Sequence, residues 1–181
     1  SQVEVAHRGL GEHPASTPAK DGLFALNIGE MIGPDLGARS SVCRVAQSED
    51  LALLLDWRIQ YERESTGLPD AESTHEFARS VIAAHVDRGE AFILDVDGQP
   101  VSSCTRNARA AESIQIGGVW TPPEFRNRGF GRTVVAEMLR KAARDGASRA
   151  VLFTDNPAAR RSYEALGFRQ IGEYGIAIYS T

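Results

Sequence analysis

Residues 126–132, with the sequence RNRGFGR, combine residue types suited to binding a phosphate group. They follow an apolar run at 114–120 and precede helical periodicity at 132–145, which predicts a strand-to-helix turn. Glycines let the backbone pass close to a ligand, and the free N–H groups at a helix start attract an anion. Arginines add charge that suits a phosphate or pyrophosphate. The spacing is not the dinucleotide pattern G-x-G-x-x-G or a Walker loop, and alone it also fits a glycine-containing turn with solvated arginines.

A second pattern begins thirty residues further on, where residues 156–168 have the sequence NPAARRSYEALGF. It has the form N-x-x-A-x-x-x-Y-x-x-x-G-F, and Pro157 favours a helix start. Together with R-x-x-G-x-G it resembles the GNAT superfamily of N-acetyltransferases, from about residue 41 to the C-terminus. The resemblance implies a single α/β (α+β) domain. Its central sheet would be mixed and mostly antiparallel, with helices on both faces and a splayed, V-shaped cofactor cleft.

The resemblance also implies acetyl-CoA as the donor and CoA as the product. Backbone groups of Val119 and Thr121 would pair with the pantetheine arm, and the pyrophosphate would lie over the N–H groups of the turn. The residues that the resemblance assigns to the cofactor are Val119, Thr121, Arg126, Asn127, Arg128, Gly129, Phe130, Gly131, Arg132, Asn156, Ala159 and Tyr163.

Acetyl transfer from a thioester to an amine has three chemical requirements. The amine must lose a proton, the tetrahedral oxyanion needs donors, and the departing thiolate needs a proton. Tyr163 suits the last task because a phenol, with an ordinary pKa of about 10, holds its proton at neutral pH. The alternative for Tyr163 is a packing role in the last helix. The backbone N–H of Thr121 is a candidate oxyanion donor.

The sequence does not identify the general base. Relatives that hold a glutamate in the strand before the turn would have it at Gln115 here, and an amide cannot take a proton. The carboxylates that could replace it are Glu112, Asp155, Glu62 and Glu64. Each also fits a solvated surface group, and a water chain is an alternative, because about one in a thousand amines of pKa near 10 is deprotonated at pH 7.

The acceptor is not indicated by any motif. Glu62, Glu64, Asp70, Glu72 and Glu76 could form a cation-binding rim near the turn at 66–69, or simply a solvated helix face. A rim would favour a small cationic amine, aminoglycoside-like or polyamine-like, with antibiotic resistance as an associated role. The alternatives are a protein lysine or α-amine acceptor, or a non-catalytic acyl-CoA-binding regulatory module.

The composition limits the classes of partner and location. A net charge of -4, with no basic block outside residues 126–132 and Arg160–Arg161, argues against nucleic-acid binding. No apolar run reaches the roughly 18 residues of a membrane span, and no secretory pattern begins the chain, so a cytoplasmic protein is expected. Two isolated cysteines and four scattered histidines predict neither a disulfide nor a metal site. The sequence is compatible with a homodimer and does not predict the oligomeric state.

Two segments are expected along the chain. Residues 1–40 are predicted to be a partly flexible N-terminal arm, or the remnant of a preceding domain, with a short strand at 22–28 as an option. Residues 41–181 are predicted to form the N-acetyltransferase domain. Its strands are expected at 41–45, 91–95, 101–107, 113–121, 150–153 and 168–180, and its helices from 48, from 74, at 132–145 and at 157–166.

Overall fold

The computed structural model describes residues 19–34, 40–67 and 69–176. Seven strands form one sheet in the order β2-β3-β4-β5-β6-β1-β7. Their bounds are β1 Ala19–Asn27, β2 Ser41–Val45, β3 Ala91–Val96, β4 Gln99–Ala110, β5 Ser113–Trp120, β6 Arg149–Thr154 and β7 Arg169–Ile176. Neighbouring strands are antiparallel except β5 and β6, which are parallel. The expected mixed, mostly antiparallel sheet is confirmed.

Helices cover both faces of this sheet. Their bounds are α1 Leu51–Tyr61, α2 Glu72–Asp87, α3 Phe130–Arg144 and α4 Pro157–Glu164. The first face packs on α3 and α4, through a core that includes Phe24, Val134 and Leu152. The opposite face packs on α1 and α2, through a smaller core that includes Trp57, Ile93 and Trp120. Burial of these apolar side chains is the main force that holds the layers together.

Both ends of α1 differ from the helix that was expected to begin at residue 48. Gln47, and not Ser48, forms a capping box with Asp50, and residues Ser48–Asp50 make a 3-10 turn before α1 begins. At its C-terminal end α1 continues into a π-helical turn, Glu62–Thr66, which ends at Gly67 with φ of 70°. A π-helical turn is uncommon and occurs often at functional sites. Here it changes the direction of the side chains that follow α1.

The parallel strands β5 and β6 diverge after a short paired stretch. They pair only from Ser113–Arg149 to Gln115–Val151, and the later residues of both strands have no partner across this gap. Between Gly117 and Trp120, β5 advances three residues while β4 advances two, so β5 contains a bulge. Gly118 has φ of 53°, a conformation that favours glycine. The expected splayed, V-shaped cleft is therefore present, with the bulge on its β5 wall.

The N-terminal strand β1 corrects the expected domain boundary. Ala19–Asn27 lies between β6 and β7 and pairs with both, so it is an interior strand of the same sheet. Phe24 is fully buried and packs in the main core. A boundary at residue 41 would cut this strand from its sheet. A short strand at 22–28 was an option in the sequence, but local periodicity could not place it inside the sheet of the domain. Residues 1–18 lie outside the described residues.

Candidate functional site

The turn between β5 and α3 has the backbone geometry expected of a phosphate loop. Asn127 and Gly129 have φ of 60° and 81°, and α3 begins at Phe130. No side chain accepts a hydrogen bond from the first N–H groups of this helix as a cap, and the Thr133 hydroxyl donates to the Gly129 carbonyl. The first N–H groups of a helix have no intrahelical acceptors. The turn can therefore direct backbone donors at an anion, with Arg128 and Arg132 beside it.

A small residue is required where α3 approaches β5. A Cβ at Gly131 would lie 3.3 Å from Thr121 Oγ1 and 4.0 Å from Val119 Cγ1. Thr121 is held in place by Ser102, a fully buried residue of β4. The Ser102 hydroxyl donates to the Trp120 carbonyl at 2.8 Å and lies 2.9 Å from Thr121 Oγ1. The cleft edge of β5 and the phosphate loop thus form one rigid wall, which fits a pantetheine arm that leads to a pyrophosphate.

Of the predicted cofactor residues in the loop, Phe130 can contribute only its backbone, and Arg126 is placed differently from the expectation. The Phe130 side chain is 3% exposed and lies in the main core, so only its backbone can face a phosphate. The Arg126 guanidinium points away from the loop. Its Nε donates to the Thr121 carbonyl at 2.9 Å, and its Nη2 donates to Glu64 Oε2 at 2.8 Å. The direct role of Arg126 at the pyrophosphate is therefore not supported.

The opposite wall carries Asn156, Ala159 and Tyr163. Asn156 Oδ1 accepts hydrogen bonds from the N–H groups of Ala158 and Ala159 at 2.9 and 3.2 Å, so it caps α4. The Tyr163 ring is buried against Phe168, with centroids 5.9 Å apart. Burial, followed by the effects of Tyr61 and Cys104, raises the pKa of Tyr163 well above its ordinary value. The phenol is therefore protonated at neutral pH, as a proton donor must be.

Two of the four carboxylates predicted as candidate bases, Glu112 and Asp155, lie at opposite ends of the cleft. Glu112 accepts from Ser148 Oγ at 2.8 Å, at the closed end of the cleft where β5 and β6 still pair. The eight residues of β5 separate it from Thr121, a distance of roughly 25 to 30 Å along the strand. This contradicts a role for Glu112 as the base. Asp155 instead follows β6 at the open end.

Asp155 has an acidic neighbour that the sequence did not suggest. The register pairs Gly22 with Thr154, which brings Asp21 of β1 next to Asp155. Burial and the charge of Asp155 raise the pKa of Asp21. Phe24 faces the main core, so alternation along β1 puts Asp21 on the opposite face, toward α1. An acidic pair at the mouth of the cleft attracts cations.

A groove of about 490 Å³ lies beside this cleft, between the end of α1, the segment before α2 and the end of β5. It is lined by Gln60, Arg63, Glu64, Pro69, Asp70, Trp120 and Pro123. Its mouth is open to solvent, and it is large enough for a small polar molecule or a side chain of a peptide. We call it the acceptor groove.

The carboxylates around the acceptor groove are neutralised by arginines. Arg58, Arg126 and Arg63 pair with Glu62, Glu64 and Asp70 at 2.5, 2.8 and 3.0 Å. Asp70 Oδ1 also lies 2.7 Å from His75 Nε2. The expected cation-binding rim is therefore not an acidic surface, since three of its five carboxylates have a cationic partner. Glu62, which is buried, and Glu64, which is exposed, each form an ion pair with an arginine.

Several residues of the site had no signal in the sequence. Ser102 and Tyr61 belong to ordinary strand and helix patterns, and only their tertiary neighbours give them a role. The exception is the pair Gly117–Gly118, because glycines inside a strand indicate a bulge or a close approach. A Cβ at Gly118 would lie 2.9 Å from Thr105 Oγ1 and 3.2 Å from Arg58 Nη1. That pattern could have predicted the bulge.

Other chemistry is not indicated in the described part of the chain. Among residues 19–34, 40–67 and 69–176, no three His, Cys, Asp or Glu side chains are grouped as a metal site requires. No helix within these ranges is long and apolar enough to cross a membrane. Cys43 and Cys104 are free thiols, and burial raises the pKa of Cys104 well above its ordinary value.

Comparison with known proteins agrees with this geometry. The model of the acetyltransferase (GNAT) family matches residues 51–168, which is more than half of the chain. No curated protein matches the chain significantly in sequence. A GCN5-related N-acetyltransferase from Kribbella flavida is similar in structure, with a TM-score of 0.63 and 21% identity over 88% of this chain. The present chain spans 58% of the length of that protein.

Two further solved structures contain CoA ligands. A predicted acetyltransferase from Clostridium acetobutylicum with acetyl-CoA has a TM-score of 0.59 and 14% identity over 72% of this chain and 91% of its own. N-acetylglutamate synthase from Neisseria gonorrhoeae with coenzyme A and N-acetyl-glutamate has a TM-score of 0.54 and 20% identity over 69% of this chain and 28% of its own. At these identities the likeness concerns the fold alone. The family match, the splayed sheet and the phosphate loop agree, and the chain belongs to the acetyltransferase (GNAT) family, which uses acetyl-CoA.

Proposed function

We propose that this protein is an N-acetyltransferase that transfers the acetyl group of acetyl-CoA directly to a primary amine. The observation that carries the proposal is the position of Tyr163, which is buried on α4 at the wall across the split sheet from the phosphate loop and the free edge of β5. A module that only binds acyl-CoA has no need of a phenol there.

The donor binds, in this proposal, through the backbone of the β5 wall. The phosphate loop and the start of α3 hold the pyrophosphate, with Arg128 and Arg132 beside it. The unpaired edge at Val119 holds the pantetheine arm as an added strand would be held. Bound acetyl-CoA supplies the thioester carbon that the amine attacks.

The chain's own groups then meet the demands of the transfer. Tyr163 gives a proton or a hydrogen bond to the sulfur, and the backbone N–H of Thr121 stabilises the oxyanion. For the amine's proton, Asp155 at the open end and a water chain to solvent are the two routes that fit the geometry. The wall that Ser102 fixes keeps Thr121 in one position during the reaction.

The acceptor is proposed to be a primary amine that enters through the acceptor groove. A small cationic amine, aminoglycoside-like or polyamine-like, is the first class to test. Its support is the pair Asp21 and Asp155, which has no cationic partner among the described residues, and not the arginine-paired groove. A protein lysine or α-amine is the second class, since the groove is open to solvent.

An acceptor screen with detection of the free thiol of CoA tests this function. Acetyl-CoA is mixed with panels of polyamines, aminoglycosides, amino acids and peptides, and Tyr163→Phe protein is the matched control. The expected result is thiol release that depends on one class of amine and is strongly reduced in the variant. Tight binding of acetyl-CoA without amine-dependent release for any class would identify a non-catalytic acyl-CoA-binding module instead.

A further inference from the structure

Arg126 stands at the first position of the R-x-x-G-x-G pattern, but its contacts are with the acceptor groove. Its Nη2 donates to Glu64 at 2.8 Å, and its guanidinium carbon lies 4.9 Å from the centroid of the Trp120 ring. Both Glu64 and Trp120 line the acceptor groove. The third contact, from Nε to the Thr121 carbonyl at 2.9 Å, ties this arrangement to the end of β5.

These contacts are part of a longer column, in which two aromatic rings lie between two guanidinium groups. The Arg58 guanidinium lies 5.0 Å from the Tyr61 ring centroid, and Tyr61 meets the Trp120 ring edge to face at 6.3 Å. Arg126 covers Trp120 at the other end. Arg58 is paired with Glu62, and Arg126 is paired with Glu64. We call Arg58, Tyr61, Trp120 and Arg126 the stacked column. Such contacts have defined geometry, so the column is rigid across its length.

We propose that Arg126 is a positioning residue of the acceptor groove and not a cofactor ligand: it fixes Glu64 and the Trp120 ring as the wall against which the acceptor binds. The proposal rests on the proposed function, because it assumes that the amine enters through this groove. Arg126 is the one member of the stacked column that belongs to the phosphate loop. It therefore sets the position of the groove relative to the bound donor.

The stability of the ion pair is not the reason for its presence. The side chains of Arg126 and Glu64 are 35% and 51% exposed, and ion pairs of that exposure contribute little to folding. Arginine is needed because a planar group can stack on Trp120 while it donates to a carbonyl and to a carboxylate at once. Lysine has no such plane and cannot make the three contacts together.

Arg128 is a matched contrast on the same loop. It is exposed, and it lies next to Gly129 at the turn that faces the phosphates. A change at Arg128 is expected to weaken CoA binding and to leave the acceptor KM unchanged. A change at Arg126 should raise the acceptor KM and leave CoA binding unchanged.

The test measures the acceptor KM and the Kd for CoA in Arg126→Gln, Glu64→Gln, the double variant and Arg128→Gln proteins. Loss of the stacking and of the charged hydrogen bonds at Arg126 should raise the acceptor KM about tenfold or more. The Kd for CoA should stay within about threefold of wild type. The double variant should bind the acceptor no worse than Arg126→Gln, because the two groups act together. Arg126→Lys should not restore the KM.

Two results would overturn the proposal. The first is a weaker Kd for CoA in Arg126→Gln with an unchanged acceptor KM, which would make Arg126 a cofactor ligand. The second is strict additivity of the Arg126→Gln and Glu64→Gln effects, which would mean that the ion pair does not position the wall.

A measurement without turnover separates this proposal from the proposed function. In a Trp57→Phe background, Trp120 is the remaining tryptophan, and quenching by acrylamide reports how well its ring is covered. Arg126→Gln should increase quenching, and Arg128→Gln should not. If wild type acetylates no amine but quenching follows this pattern, the proposed function fails and the placement of Arg126 holds. Equal quenching in wild type and Arg126→Gln would contradict the placement.

Discussion

The phosphate loop and the acceptor groove lie side by side, but they are built in different ways. The loop is made of backbone: the left-handed Asn127 and Gly129, an uncapped helix start and the close approach at Gly131. The groove is made of side chains from distant segments, with Glu64 and Arg126 62 positions apart. Backbone geometry is encoded locally, in glycine spacing, whereas side-chain pairing is encoded only by the fold. The donor site can therefore be recognised in a sequence, and the acceptor site cannot.

Tyr163 is predicted to have the largest effect, because in the proposed mechanism it gives a proton or a hydrogen bond to the departing sulfur. Tyr163→Phe keeps the ring against Phe168 and removes only the proton donor. We expect kcat to fall by roughly 10²- to 10⁴-fold, with little change in the KM for acetyl-CoA or in Tm. A kcat like that of wild type, with chemistry shown to limit the rate, would reduce Tyr163 to a packing residue.

Asn156 tests whether the cap of α4 is needed to position Tyr163 on the same helix. Asn156→Ala removes the cap of α4 and should destabilise the protein by about 1 kcal/mol, or about 2 to 4 °C in Tm for a chain of this size. Because α4 carries Tyr163, kcat should fall as well. Asn156→Asp is the control, since a carboxylate oxygen also accepts from the two N–H groups. An alanine variant with unchanged Tm would show that the cap is dispensable.

Asp21 tests the placement of β1 beside the cleft. Burial and Asp155 raise its pKa, so its charged form is disfavoured in the folded protein. Asp21→Asn should therefore raise Tm at neutral pH by about 1 to 3 °C, as expected for relief of a like-charge pair on neighbouring strands. The gain should grow as the pH rises through the folded pKa, and it should vanish below the ordinary pKa of about 3.9. A loss of stability at pH 7 would contradict the like-charge pair.

Glu112 should show the smallest effect. Its carboxylate lies at the closed end of the cleft, bonded to Ser148. Glu112→Gln keeps an oxygen that can accept this hydrogen bond, so the pH profile of kcat should match wild type within about twofold. A changed pH dependence of kcat in this variant would indicate that Glu112 is the base. It would also contradict the assignment of the reaction to the open end of the cleft.

The comparison of the two sites also explains what the sequence could predict. Periodicity predicts the helices α3 and α4 and most of the strands, and the resemblance carried by the two spaced motifs predicts the mixed sheet and the cleft. The roles of Gly129 and Tyr163 stay predictions. The interior position of β1 could not be predicted, because its partners β6 and β7 lie more than a hundred residues away. The direction of the Arg126 side chain could not be predicted either, because Glu64, one of the groups that fix it, is 62 positions away in the sequence.

The most direct test of the central claim is a calorimetric titration of CoA into wild type, Gly129→Val and Gly98→Val proteins. Gly98 has φ of 80° in an open hairpin turn, so valine there imposes the same backbone strain as at Gly129, which has φ of 81°. If the backbone of the phosphate loop binds the pyrophosphate, only Gly129→Val should lose measurable binding, with a decrease in affinity of about 100-fold or more, or close to 3 kcal/mol. Unchanged affinity in Gly129→Val, or an equal loss in both variants, would contradict a donor site built on this loop.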